Sequence, residues 1–254
     1  NKIAYSQRRK YLLGGELHGV MNYPFRTALI DYLRGGDADQ FRESLETIRE
    51  NYPAPAFYSL MNFLGTHDTP RILTVLGADH IPESKGDRAA FRLSPPEREQ
   101  GLARTALAAL VLFTFPGSPT VYYGDEMALE GWEDPFNRGT YPWDRGDTPL
   151  LSLFARLGQL RRDTPALRQG SLQWLYTAGP LLVFARELDG ARLVTAVNAS
   201  GEAGELTLPW SAPAARDLLT GRRLNAENGR LTLKIPPMRG FLLQEEARTA
   251  ACFT

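Results

Sequence analysis

The chain has 254 residues, and its 29 Lys and Arg residues balance 29 Asp and Glu residues, so its formal net charge at pH 7 is zero. This balance argues against a nucleic-acid or membrane partner, for which a basic surface is typical, and a neutral ligand is expected instead. The single cysteine, Cys252, excludes an intramolecular disulfide and favours a reducing compartment, so a cytoplasmic location is expected. Residues 1–10 lack the apolar core of a signal peptide, which leaves only an upstream signal open. The longest apolar run, residues 105–115, is about half the length of a membrane-spanning helix and is expected to be a buried helix.

Residues 1–169 alternate short apolar segments with amphipathic patterns, which is typical of β-strand and α-helix units in succession. In chain order, strands are predicted at residues 17–22, 58–64 and 118–123, and helices at residues 27–33, 39–51, 95–113 and 150–162. The polar segment 76–96 is expected to form a surface excursion or a lid. Because a closed (β/α)8 barrel needs eight strands, either the sheet is open or the chain is part of a larger barrel.

In residues 170–246 the apolar residues no longer recur at helical spacing. Short strands are predicted at residues 172–176, 181–185, 192–197, 205–208 and 230–235, separated by turn signals. They predict a small antiparallel β-domain that follows a first domain of residues 1–169, with a polar tail at residues 247–254.

The string FLGTHDTPR at residues 63–71 places an imidazole and a carboxylate at the end of a predicted strand. In (β/α) barrels the chemistry lies on the loops that follow the strands. A carboxylate fixed at such a place can stabilise a developing positive charge, and an adjacent imidazole can donate a hydrogen bond to a ligand, so Asp68 and His67 are candidate site residues. The structural alternative is that Asp68 caps a helix that begins near Thr69 or Pro70.

The string FPGSPTVYYGDE at residues 115–126 ends another predicted strand with two tyrosines, a glycine and two acids. Tyr122 and Tyr123 could form a wall on which a sugar stacks. The alternative for Asp125 and Glu126 is that they only pair with nearby arginines, such as Arg138.

Together these strings resemble the α-amylase superfamily of glycoside hydrolases. Residues 63–71 resemble its seventh barrel strand, residues 115–126 its eighth, and MNYPFR at residues 21–26 the end of its sixth. GWEDPFNR at residues 131–138 and PWD at residues 142–144 are similar to a loop of its neopullulanase, cyclomaltodextrinase and maltogenic amylase branch. Residues 1–5 resemble the stretch just after the general-acid Glu of these enzymes.

The resemblance implies an α/β fold made of strands six to eight of a (β/α)8 TIM barrel, followed by an antiparallel β-sandwich. It implies a retaining hydrolase that cleaves α-1,4 bonds, with α-1,6 bonds left open, in maltodextrin, cyclodextrin or pullulan. Asp68 would stabilise the transition state and His67 would bind the sugar, while Arg71, Tyr23 and Tyr122 would be further substrate contacts. The nucleophile and general acid would lie upstream of this chain, so the chain alone is expected to be inactive.

Two other functions stay open at this point: a non-catalytic amylase homologue, and a carbohydrate-binding module that uses Trp174, Tyr176 and Trp210 as a stacking platform. Such aromatics are more often part of a core. No acid cluster has the spacing of a calcium loop, so no cofactor is predicted for this chain, although calcium stays open for a full-length enzyme. The expected partners are an α-glucan oligosaccharide and either a second copy of the chain or the missing N-terminal half, because an incomplete barrel leaves open strand edges.

Overall fold

The computed structural model describes residue 7, residues 9–145 and residues 148–246. The predictions for residues 1–5 and for the tail 247–254, including Cys252, lie outside the described residues. Within the described part, no helix combines the length and the apolar character needed to cross a membrane.

Helices make up most of the first 169 residues. They are α1 (Tyr23–Leu33), α2 (Ala38–Asn51), α3 (Ala54–Ser59), α4 (Ile72–Gly77), α5 (Lys85–Ala90), α6 (Pro95–Thr114), α7 (Pro149–Asp163) and α8 (Pro165–Gln169), with short 3-10 turns at Arg9–Leu12 and Trp143–Arg145. Their starts follow local capping chemistry. The Asn22 side chain accepts a hydrogen bond from the Phe25 backbone at the start of α1, and Ser94 and Glu97 form a capping box at the start of α6. The four predicted helices are confirmed, although α1 begins four residues earlier than its prediction.

A small parallel sheet lies among these helices. Strand β1 (Met61–Phe63) pairs in parallel with β2 (Ser118–Thr120), and Met21 forms an isolated parallel bridge with Met61. A six-residue strand at residues 17–22 was predicted, and only Met21 pairs. The prediction is wrong for the other residues, because β1 is only three residues long and cannot pair with a longer strand. The strand predicted at residues 58–64 is also shorter, since its first two residues belong to α3, whose start is favoured by Pro55 in the first turn. The strand predicted at residues 118–123 ends at residue 120, where the chain turns.

Buried amides tie the three parallel segments together. The Asn22 Nδ2 donates to Asn62 Oδ1 at 2.9 Å, and the Asn62 Nδ2 donates to the Pro116 carbonyl at 2.7 Å. Because the three segments run parallel, their carboxyl ends meet at one edge of the sheet. The loops that carry the predicted site residues therefore begin at the same edge.

Residues 171–246 form two antiparallel sheets. The strands are β3 (Ser171–Ala178), β4 (Leu181–Leu188), β5 (Ala191–Asn198), β6 (Gly204–Pro209), β7 (Ala214–Asp217), β8 (Arg223–Asn225), β9 (Arg230–Ile235) and β10 (Arg239–Glu246). The six-stranded sheet has the order β3-β4-β5-β10-β7-β8, and β6 pairs with β9 in the second sheet. The five predicted strands are confirmed, whereas β7, β8 and β10 were not predicted.

The six-stranded sheet contributes to two hydrophobic cores. One face packs on the helices, where the Phe115 ring lies 5.6 Å from the Phe184 ring and 5.8 Å from the Trp174 ring, centroid to centroid. A second core contains Trp210, which is 2% exposed, together with apolar residues of β4, β5, β6 and β9. Of the three aromatics proposed as a stacking platform, only Tyr176 is largely exposed, at 41%. The platform hypothesis is therefore wrong: Trp174 and Trp210 contribute to packing instead.

Candidate active site

The loop after β1 forms a turn from Thr66 to Thr69 that is closed by side chains as well as by the backbone. The Thr69 N–H donates to the Thr66 carbonyl at 3.2 Å, and the Thr66 N–H donates to Thr69 Oγ1 at 2.9 Å. The Asp68 N–H donates to Thr66 Oγ1 at 3.1 Å. These local bonds provide partners for the backbone N–H groups of a short irregular segment. The side chains of the two residues at its centre are not needed for those bonds and can point outward.

His67 and Asp68 are the outward side chains of this turn. The His67 Nε2 lies 3.3 Å from Asp68 Oδ1, and the two side chains are 64% and 62% exposed. Helix α4 begins at Ile72 with Arg71 as its N-cap and without a side-chain cap bond. The alternative in which Asp68 caps a helix is therefore wrong, and its carboxylate is free to face a ligand.

Arg71 is placed differently from the substrate contact predicted for it. Its side chain has no exposed surface, and its Nη1 donates to the Tyr123 carbonyl and, at 3.2 Å, to Asp125 Oδ1. Its guanidinium lies 4.3 Å from the centroid of the Tyr122 ring and 4.7 Å from that of the Tyr123 ring. A fully buried side chain does not match the prediction that Arg71 contacts the substrate. Its guanidinium instead packs against the rings of the two tyrosines and supports their position.

Asp125 is the buried partner of Arg71. Burial raises the pKa of Asp125 to about 7, while the nearby Arg71 guanidinium opposes this rise. The alternative that Asp125 pairs with a nearby arginine is confirmed, but the partner is Arg71, because Arg138 pairs with Asp134 at 2.9 Å. Asp125 therefore holds the loop after β2 in place and has no access to a substrate.

Tyr23 and Tyr122 lie at the ends of the other two parallel segments. Tyr23 is the first residue of α1, and its ring meets the Phe63 ring edge-on with centroids 4.9 Å apart. Tyr122 packs against Tyr123 at 4.7 Å, and burial is the main cause that raises its pKa above the ordinary value. Both tyrosines are half-buried and keep part of their surface open, as a sugar-contacting side chain requires.

Arg26 and Asn137, which belong to the strings at residues 21–26 and 131–138, hold the His67 loop in place, a role that the sequence did not indicate. The Arg26 Nε donates to the Leu64 carbonyl at 2.6 Å, and its Nη2 donates to the Pro70 carbonyl at 3.3 Å. The Asn137 side chain donates to backbone carbonyls inside the same loop. These contacts join residues that are 38 to 71 positions apart in the sequence, so the local strings indicated the two residues but not their contacts.

In the part of the chain that the structure describes, no group of three or more His, Cys, Asp or Glu side chains is arranged to hold a metal ion. The loop after β1 carries one exposed imidazole–carboxylate pair, and a half-buried tyrosine follows each of the two neighbouring parallel segments. An exposed carboxylate can stabilise a nearby positive charge, and the imidazole beside it can donate a hydrogen bond to a ligand.

Comparisons with known proteins identify relatives of this chain. A family model described as alpha amylase, catalytic domain, matches residues 3–152. The chain is 32% identical over 260 residues to an amylopullulanase of Thermoanaerobacter thermohydrosulfuricus, which covers 91% of this chain and 17% of that relative. It is 32% identical over 241 residues to a cyclomaltodextrinase of Geobacillus thermopakistaniensis, which covers 92% of this chain and 37% of that relative. A crystal structure of an α-amylase from Geobacillus thermoleovorans has the same fold, with a TM-score of 0.79 and 24% identity over 97% of this chain and 52% of that chain.

The chain therefore belongs to the α-amylase family of glycoside hydrolases. The resemblance seen in its sequence is confirmed, including its branch, because relatives named cyclomaltodextrinase, neopullulanase and maltogenic α-amylase are similar to it. The chain spans less than two fifths of the length of the two curated relatives described above and about half of the solved α-amylase.

Proposed function

We propose that this chain contributes the transition-state-stabilising part of a retaining α-glucan hydrolase. The observation that carries the proposal is the exposed His67–Asp68 pair at the carboxyl end of β1, in a chain of the α-amylase family. Met21, β1 and β2 would correspond to the ends of barrel strands six, seven and eight, and β3–β10 to a C-terminal β-sandwich. Maltodextrin, cyclodextrin and pullulan are the proposed substrates, with α-1,4 bonds as the main target and α-1,6 bonds as a second one.

In this mechanism the Asp68 carboxylate faces the positive charge that develops on the sugar ring, and His67 donates to a sugar hydroxyl. Both contacts strengthen as the ring flattens, so they lower the barrier more than they strengthen substrate binding. Tyr23 and Tyr122 would form the apolar wall of the cleft. Arg71 would act only through the tyrosines in front of it.

A retaining glycosidase also needs two carboxyl groups about 5 Å apart, one as nucleophile and one as general acid. Asp125 cannot act as either of these two groups, because it is buried and paired with Arg71. We propose that the nucleophilic Asp and the general-acid Glu belong to a segment of a longer protein outside residues 1–254.

A protein that consists of residues 1–254 alone is expected to hydrolyse no maltodextrin or cyclodextrin above background, whereas the full-length protein hydrolyses both. The reason is that the chain would supply a stabilising charge without a nucleophile. The rate of reducing-sugar release measures the hydrolytic activity of both proteins. Turnover by a clean preparation of residues 1–254 would contradict the proposed division of the site, and an inactive full-length protein would favour a non-catalytic homologue.

The open edge of the parallel sheet predicts association. If residues 1–254 are part of a barrel, their apolar interior residues Met21, Leu60 and Val121 are expected to be exposed. Met21 and Val121, on the two segments that flank β1, are 37% and 40% exposed, whereas Leu60 is buried at 1%. Exposed apolar edges promote pairing with another chain. Residues 1–254 alone are therefore expected to form a homo-oligomer or to bind the N-terminal half of the protein.

Sedimentation velocity tests this expectation. A variant that carries Met21→Gln and Val121→Gln is expected to shift toward monomer, whereas Ile81→Gln, at a residue 67% exposed elsewhere on the surface, is expected to change nothing. A wild-type chain that stays monomeric at high concentration and does not bind the N-terminal half would contradict the proposed association.

A further inference from the structure

Asn137 is a fully buried amide that faces the backbone of the His67–Asp68 turn. Its Nδ2 lies 2.8 Å from the His67 carbonyl oxygen, 2.8 Å from that of Thr69 and 3.3 Å from that of Thr66. All three partners are acceptors, so the amide nitrogen, and not the oxygen, must point at the turn. With two hydrogens and three acceptors, the nitrogen makes two short bonds and shares a longer third.

The three carbonyls surround Asp68 on both sides along the chain. The His67 carbonyl belongs to the peptide unit that carries the Asp68 N–H, and the Thr69 carbonyl lies one residue beyond Asp68. Arg138 adds a bond of 3.3 Å from its Nη2 to the same His67 carbonyl. Asn137 is the fully buried member of this set, and it alone contacts the carbonyls on both sides of Asp68.

We propose that Asn137 is a positioning residue for catalysis: it places the Asp68 carboxylate and the His67 imidazole by holding the carbonyls of their turn. We call the three bonds from Asn137 to this turn the clamp. The inference rests on the proposed function, because it assumes that the turn held by the clamp belongs to a hydrolytic site. Asn137 itself does not face the ligand, since its side chain has no exposed surface.

The variant Asn137→Asp separates this role from simple packing. Asp has nearly the shape of Asn, but it replaces the donor with a second acceptor that faces three carbonyl oxygens. Unmatched acceptors repel one another in a buried site, so the turn is expected to move. Displacement of a catalytic group by about 1 Å can lower the rate about a hundredfold.

Asn198 offers a matched control in the β-sandwich. Its side chain is also fully buried, and its Nδ2 donates to the carbonyls of Glu202 at 2.7 Å, Ile235 at 3.1 Å and Pro236 at 3.2 Å. Asn198→Asp therefore makes the same chemical change against the same number of carbonyls, without any link to Asp68.

In the full-length protein, Asn137→Asp is expected to lower kcat for maltodextrin about a hundredfold with little change in KM. Asn198→Asp is expected to destabilise the protein while the folded fraction keeps its wild-type kcat. When combined with Asp68→Asn, Asn137→Asp should add little further loss, because both variants remove the same contribution. Equal losses of kcat in the two Asn variants, or losses that multiply in the double variant, would overturn the proposal.

Hydrogen exchange tests the same clamp without any assay of activity. The amides of Thr66, Asp68 and Thr69 are bonded within the turn, and they are expected to exchange faster in Asn137→Asp and at the wild-type rate in Asn198→Asp. Unchanged exchange in Asn137→Asp would overturn the positioning role. If the wild-type protein hydrolysed no α-glucan while the exchange result held, the proposed function would fail and the clamp itself would stand.

Discussion

Replacing Asp68 with Asn in the full-length protein is expected to lower kcat by about a hundredfold to a thousandfold and to leave KM nearly unchanged. The substitution keeps the shape of the side chain and removes its charge. The backbone N–H of residue 68 can still donate to Thr66 Oγ1, so the turn should stay in place. Because the charge opposes only the oxocarbenium-like transition state, its loss should appear in kcat.

Asp163→Asn is the control for this prediction. Asp163 is 55% exposed at the end of α7 and pairs with Arg162, so its charge has no part in the site. Initial rates over a range of maltodextrin concentrations give kcat and KM for both variants. A near-wild-type kcat for Asp68→Asn would remove Asp68 from the proposed mechanism.

Replacing Arg71 with Met is expected to lower the free energy of unfolding by about 3–5 kcal/mol, because removal of one partner leaves a buried charge or polar group unmatched. Arg71 and Asp125 are 0% and 1% exposed, and the pair lies behind the two tyrosines of the loop after β2. Urea unfolding of the full-length variant and wild type measures the difference. A stable variant with a raised KM would instead support the original prediction that Arg71 contacts the substrate.

The matched control is Arg138→Met, which breaks an ion pair between partners that are 45% and 57% exposed and also removes an exposed bond to the His67 carbonyl. Exposed ion pairs contribute less than about 1 kcal/mol, so its effect on unfolding should be small. Equal destabilisation by the two Arg variants would contradict the account in which burial makes the Arg71–Asp125 pair important.

Helix positions could be predicted because their signals are local. Pro95 in the first turn and the Ser94–Glu97 capping box mark the start of α6, and apolar spacing marks α2. The strand predicted at residues 58–64 includes the last two residues of α3, because Tyr58 is a typical strand residue and the two prolines that favour the start of the helix precede it. In such short segments, contacts with the rest of the fold decide whether the chain forms a helix or a strand.

Strand lengths were harder to predict for the same reason. Strands β7 and β8 have four and three residues, too few for a period to emerge, and β10 mixes apolar with charged residues. The apolar segments at residues 17–22 and 118–123 look like longer strands, but pairing stops where β1 ends. The length of a strand depends on its partner, which a local pattern does not reveal.

The exposed part of the site could be predicted, and its buried support could not. His67 and Asp68 stand in one recognisable string after a predicted strand. The roles of Arg26 and Asn137 depend on contacts with carbonyls far away in sequence. Arg71 shows the opposite case: it belongs to the same string as Asp68, yet it points inward and meets Asp125.

The most direct test of the proposed hydrolase is the identity and anomeric form of the products that the full-length protein releases from maltodextrin, cyclodextrin and pullulan. NMR spectroscopy during the first turnovers reports both, before mutarotation mixes the anomers. The account predicts release of α-anomeric products, since a double displacement retains the configuration. Release of β-anomers, or no release from any of the three glucans, would contradict it.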